Sequence, residues 1–250
     1  MKTKNDNRQI IKPKNIFKEF GDFEIEEKFQ VLGKIRTDFL GKIENVICRN
    51  KNIISVSGQE EFSWIFHFDY YGYKKDGKLK QAFVIIHHPS TSKFWIREKE
   101  ESKIFQIKIK DFKAWIIKRK ELQFLKKRRF LKKYSDHIVK DKTKQLGATI
   151  FLLDRLTREK YYTFLKNIKT GRTYSLSLDF CKAFGQKMSQ LEIEYKWRDS
   201  SFKNNPVNID SIIREFKLFS KILLSNSSDL KLIPTKLTKF EWLSKITNES

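Results

Sequence analysis

Apolar and polar residues alternate along most of this chain with the period of a β-strand. In FEIEEKF, residues 23–29, Glu24, Glu26 and Lys28 fall on one face. In LEIEYK, residues 191–196, Glu192 and Glu194 face away from Leu191, Ile193 and Tyr195. Further strand-like runs are NIISVSG, SWIFHFDYYGY, KQAFVII, KFWIREK (93–99), IFQIKIK (104–110), AWIIKRKE (114–121), TIFLLDRLT, KYYTFLKN and TYSLSLDF. The segments KDGK (75–78) and KTGR (169–172) predict hairpin turns. Helical spacing replaces alternation over 122–145 (Leu122, Leu125, Phe130, Leu131, Tyr134, Ile138) and over 208–224, where Asn208 or Asp210 suits an N-cap. Residues 1–22 read as a flexible basic lead with a short helix at NIFKEF. Residues 23–250 read as a single domain that includes a C-terminal helical segment, 208–242. The pattern predicts an α+β protein, mainly antiparallel β.

The polar faces are sorted by charge. One set is mainly basic: Arg97 and Lys99, Lys108 and Lys110, Arg119 with Glu121, Arg158 and Lys160. The other is acidic and comes at the start and end of the strand series: Glu24, Glu26, Asp179, Glu192 and Glu194. Solvated outer faces would account for any one strand. A closed antiparallel barrel accounts for all of them, because interior and exterior residues alternate along every strand. Charged interior faces would give basic walls for phosphates and a carboxylate cluster for a hard divalent ion. The helices would then cover the apolar outside.

The E-x-E-x-K start resembles the signature of the CYTH, or triphosphate tunnel metalloenzyme, superfamily. The resemblance continues in order along the chain. WIREK is similar to the family's R-x-R strand with Lys99 in the second place, and IKIK to its inward lysine strand. KRKE resembles its R-x-E, and REKYY its K-x-R with the basic types exchanged. LSLD and LEIEY resemble its late strands, and LTKFEWL its C-terminal S-K-Y, with Thr238, Lys239 and Phe240. The resemblance implies an eight-stranded closed tunnel with a charged interior and helices packed outside. It implies metal-dependent hydrolysis of a triphosphate, with Mg²⁺ or Mn²⁺ held by Glu24, Glu26, Asp179, Glu192 and Glu194. Catalytic roles fall to Glu24, Glu26, Lys28, Glu192 and Glu194. Substrate phosphates fall to Arg97, Lys99, Lys108, Lys110, Arg119, Arg158, Lys160 and Lys239. The substrate is inorganic, nucleoside or another organic triphosphate, or the 5′-triphosphate of RNA.

Composition narrows the alternatives. A 250-residue chain that is 39% hydrophobic and 14% aromatic can bury a sizeable core. Two cysteines, Cys48 and Cys181, suit neither a disulfide framework nor a zinc site. The basic N-terminus has no apolar stretch behind it, and no run is long enough to span a membrane, so a cytoplasmic protein is expected. The net charge of +23 points to an anionic partner or to a lysine-rich surface. KKRRFLKK, residues 126–133, suits RNA or a solvated helix face. A polyphosphate- or nucleic-acid-binding module without catalysis explains the basic strands, with aromatics interleaved for stacking. It leaves the two E-x-E strands unexplained, since carboxylates repel phosphate. Adjacent His87 and His88 face opposite ways in a strand and predict no joint site.

Overall fold

A computed structural model describes residues 16–20, 23–32, 35, 38–56, 62–87, 93–109, 112–127, 131–205, 208–226 and 231–248. Its strands, in chain order, are β1 (Ile16–Phe17), β2 (Phe23–Val31), β3 (Ile53–Ser55), β4 (Phe62–Lys75), β5 (Lys78–His87), β6 (Lys93–Ile109), β7 (Phe112–Lys127), β8 (Phe151–Asn167), β9 (Arg172–Ala183), β10 (Gln186–Asp199) and β11 (Leu232–Pro234). Its helices are α1 (Phe39–Cys48), α2 (Leu131–Leu146), α3 (Ile209–Ser225) and α4 (Lys239–Asn248). No helix among the described residues is long and apolar enough to cross a membrane.

Every strand pairing is antiparallel. Followed from neighbour to neighbour, the sheet runs β10–β9–β8–β4–β5–β6–β7–β2, and β2 also pairs with β10. Residues 23–27 of β2 pair with β7, residues 29–31 with β11, and residues 26–30 with β10.

Alternation along β2, β9 and β10 sorts two faces. Ile25, Phe29, Tyr174, Leu176, Leu178, Leu191 and Ile193 point to one of them and form the main core with Leu40, Ile43 and Ile47 of α1 and Ile212, Phe216 and Phe219 of α3. α3 begins where expected, with Asn208 Oδ1 accepting the Asp210 amide at 2.8 Å as an N-cap. On the other face lie Glu26, Lys28, Ser175, Ser177, Asp179 and Glu192, all buried although α1 and α3 cover the opposite side. A second core joins Phe240, Leu243 and Ile246 of α4 to Phe68, Tyr70, Leu156, Cys181 and Met188.

Several expected elements differ. The helix expected from residue 122 begins at Leu131, because β7 continues to Lys127 as the partner of β6. KFWIREK and residues 104–109 form one strand, β6, with an irregularity between Lys99 and Ser102. TIFLLDRLT and KYYTFLKN likewise form one strand, β8. The short helix expected at NIFKEF is instead strand β1, paired with the end of β10. The hairpin turns at 75–78 and 169–172 form as expected, with φ of +70° at Gly77 and +69° at Gly171. A Cβ at Gly171 would also come within 2.3 Å of the Phe202 ring.

A buried ion network ties the β8–β9 hairpin to α3 and to the segment after β1. Arg172 Nε and Nη2 donate to the two Glu19 oxygens at 2.7 and 3.1 Å, and its Nη1 to Glu215 Oε1 at 2.5 Å. Arg198 Nη1 donates to Glu19 Oε1 at 2.6 Å. Glu215 Oε2 accepts from Asn167 Nδ2 and the Tyr174 hydroxyl, each at 2.9 Å. Replacing Glu215 with Ala leaves Arg172 buried with one of its two carboxylates gone. Urea unfolding is expected to show a loss of about 3–5 kcal/mol.

Glu27 is the exception within the apolar face. It is fully buried, it accepts from the Ser220 hydroxyl of α3, and its Oε2 has no hydrogen-bond partner. Burial pushes its carboxyl from 4.5 up to about 8. Between those values the folded chain keeps a proton that the unfolded chain has released, so stability falls as pH rises through that window. Glu27→Gln is expected to remove this part of the slope. Unfolding free energies measured from pH 5 to 8 would check it.

Candidate functional site

β2 and β10 lie side by side with Glu26 opposite Glu194 and Lys28 opposite Glu192. The shared face therefore collects carboxylates from two strands far apart in sequence, and each is met by a cation. Arg119 of β7 donates from Nε to Glu24 Oε2 at 2.6 Å, and its Nη2 lies 2.7 Å from Glu26 Oε1. Lys28 Nζ bridges Glu26 Oε1 at 3.0 Å and Glu192 Oε1 at 3.3 Å. Lys239, the first residue of α4, reaches Glu192 Oε1 at 2.7 Å and Asp179 Oδ2 at 2.8 Å. Arg158 Nη1 is 3.4 Å from Asp179 Oδ2, and its guanidinium lies 4.5 Å from the ring centre of Phe68. Glu194 pairs with Lys196.

Lys160 stands opposite Asp179 in the β8–β9 ladder and makes no ion pair among the described residues. Burial lowers its pKa, although Asp179 acts the other way. Arg97 is half-buried and lies near enough to Lys196 to be felt electrostatically. Among the described residues the cluster holds five carboxylates (Glu24, Glu26, Asp179, Glu192, Glu194) and seven cations (Lys28, Arg97, Arg119, Arg158, Lys160, Lys196, Lys239). The environment acts differently on the two carboxylates that share Lys28. Burial raises the pKa of Glu26, with Arg119 and Lys28 opposing and Glu24 and Glu192 adding to the rise. Glu192 is buried too, but Lys239, Lys28, Lys160 and Arg158 hold it well below the usual carboxylate range.

The oxygens are of the kind a hard divalent ion takes. Among the described residues, however, no three His, Cys, Asp or Glu side chains gather to hold one. Lys28, Arg119 and Lys239 stand between the carboxylates and meet their charge. Asp179 Oδ1 alone among the acidic oxygens of Asp179 and Glu192 is buried without a hydrogen-bond partner. As the structure stands, the expected ligands Glu24, Glu26, Asp179, Glu192 and Glu194 are each engaged by a cation.

Of the residues expected at the site, Glu24, Glu26, Lys28, Arg119, Arg158, Asp179, Glu192 and Lys239 are joined by ion pairs; Glu194 pairs separately with Lys196, and Lys160 and Arg97 lie beside them. Lys108 is not among them: it is exposed near the tip of the β6–β7 hairpin. The Lys99 side chain and all of Lys110 lie outside the described residues. Lys196 was missed. Its signal was present, since Glu192, Glu194 and Lys196 repeat the spacing of Glu24, Glu26 and Lys28. A separate group on β4, β5 and β8 was also missed. Asp69 accepts from Arg155 Nε at 2.6 Å and meets His87 Nε2 at 2.8 Å. Burial would raise the Asp69 pKa, but those two partners hold it down at about 2.

No protein-family model matches this sequence, and neither does any curated protein. Among solved structures, the chain is similar to a candidate adenylate cyclase of Bacillus halodurans, with 12% identity over 80% of this chain and 92% of that one and a TM-score of 0.36. It is similar to the S. pombe RNA triphosphatase Pct1, with 11% identity over 84% of each chain and a TM-score of 0.33. The same triphosphatase in complex with the Spt5 CTD gives 10% identity over 84% of this chain and 85% of that one, with a TM-score of 0.35. Scores of this size carry no residue role onto this chain.

Proposed function

We propose that the eight long strands curl into a tunnel that binds a triphosphate and hydrolyses it. The observation that carries this reading is the buried face of interleaved carboxylates and cations, which α1 and α3 do not cover. The pairing of β2 with both β7 and β10 supports a sheet that wraps round that face. The ordered resemblance of the strand motifs to triphosphate tunnel enzymes points the same way.

In this reading the phosphate oxygens take over cations that the carboxylates now hold. Lys160, already without an ion pair, meets phosphate first; Arg158, Lys239, Lys28, Arg119 and Arg97 align and neutralise the rest, over which transition-state charge is spread. Water attacks the terminal phosphorus, the bond to the leaving diphosphate oxygen breaks, and the water's proton passes to a carboxylate. We assign that role to Glu26, whose Oε1 lies between Lys28 and Arg119 at the centre of the cluster and whose pKa burial raises. A polyphosphate-binding module without catalysis predicts binding that survives loss of the carboxylates.

Phosphate release from tripolyphosphate, ATP and a 5′-triphosphate RNA, each with Mg²⁺ or Mn²⁺ and with a chelator, tests the proposal. Release is expected from at least one, and Glu192→Ala with Glu194→Ala is expected to abolish it. Arg158→Met is expected to lower kcat by about 10²–10³-fold, the usual effect of losing one charged donor to the transition state. Tight tripolyphosphate binding with no release, unchanged by the carboxylate substitutions, would replace hydrolysis with binding alone.

A further inference from the structure

Three hairpins end on the same chemistry. In β4–β5, Lys75 stands directly opposite Lys78 across the Asp76–Gly77 turn. In β6–β7, Lys108 stands opposite Lys113. In β9–β10, Lys182 stands opposite Lys187. All six are exposed, and none makes an ion pair among the described residues. Like charges directly opposed in an antiparallel ladder repel and weaken the pairing.

The three tips also share one end of the sheet. β4 and β9 are each antiparallel to β8, so they run the same way. β4 and β6 are each antiparallel to β5, so β6 runs that way too. The turns at the C-terminal ends of β4, β6 and β9 therefore lie along a common edge. The β8–β9 turn lies at the opposite end and has no such pair: Asn167 faces Arg172 there, and both are bonded to Glu215. The buried cluster accounts for little of the net charge of +23, because its carboxylates and cations nearly balance.

We infer that this end of the sheet is a docking surface for the phosphodiester backbone of a single-stranded nucleic acid. A triphosphate is small enough to meet one tip, whereas a strand with a phosphate at every nucleotide passes from tip to tip. Phe184, 50% exposed in the turn between Lys182 and Lys187, offers a ring on which a base stacks. The surface does not depend on the buried cluster, so it stands whether or not the chain hydrolyses triphosphates.

The test uses the full chain and a fluorescent 20-nucleotide (about the length that spans several tips) oligouridine with a 5′-hydroxyl, which offers the buried cluster no triphosphate. Anisotropy titrations across a salt series would compare two variants with equal charge loss. One carries Lys75→Gln, Lys78→Gln, Lys182→Gln and Lys187→Gln. The other carries Lys51→Gln, Lys169→Gln, Lys203→Gln and Lys217→Gln, at exposed lysines away from this edge. The tip variant is expected to bind at least about tenfold more weakly and to lower the slope of log K against log salt by about 3, at roughly 0.7 per phosphate contact. The control is expected to stay within about twofold of the parent. Equal losses in both variants, no measurable binding by the parent, or tip-dependent binding of phosphatidylserine vesicles in place of the oligonucleotide would each overturn the inference.

Discussion

A charge taken out of water must find an opposite charge nearby, and the architecture of this protein turns on that requirement. Glu26, Lys28, Asp179 and Glu192 are all buried on one face of the sheet. Besides the Lys28–Glu26 pair within β2, the partners come from separate elements: Arg119 from β7, Arg158 from β8 and Lys239 from α4. The pairing of β2 with β10 is what lets Lys28 sit between Glu26 and Glu192. The same logic appears in the second network, where Arg172 and Arg198 share Glu19. There every oxygen of Glu19 and Glu215 has a partner, and the network acts as a clamp. In the first, Asp179 Oδ1 is buried without a hydrogen-bond partner.

Much of the charged face was legible because a strand has a period of two. Glu24, Glu26 and Lys28 must share a side whatever the fold, as must Glu192 and Glu194. What alternation does not carry is where along a strand the enclosed part stops. Lys108 is an odd number of residues from Arg97 and shares its face only through the irregularity between Lys99 and Ser102; it lies near the hairpin tip and is exposed. The limits of the elements were harder still. The helix expected from residue 122 rested on apolar spacing in a lysine-rich stretch, and pairing with β6 carried β7 on to Lys127 instead. β1 was read as helix because two residues of strand show no period; its pairing with β10 decides it. Glu215 and Arg172 gave no local sign of their partnership, since 43 residues separate them.

The two faces of β2 show how closely structural and chemical demands are interleaved. Glu26 and Glu27 are neighbours, both buried and both with raised proton affinity, yet their surroundings differ. For Glu26 burial raises the pKa while neighbouring cations oppose it and carboxylates add to it. For Glu27 burial raises it and only the Ser220 hydroxyl opposes. One backbone step of about 3.3 Å separates a carboxyl buried among charges from one buried among apolar side chains.

Lys239 opens the last helix of the chain, and it supplies the charge that Asp179 and Glu192 require. During synthesis β2, β9 and β10 leave the ribosome well before it does. Until residue 239 emerges, those carboxylates have lost a main counter-charge, and drying that face is unfavourable. The docking of α4 and the burial of Asp179 and Glu192 are therefore electrostatically linked.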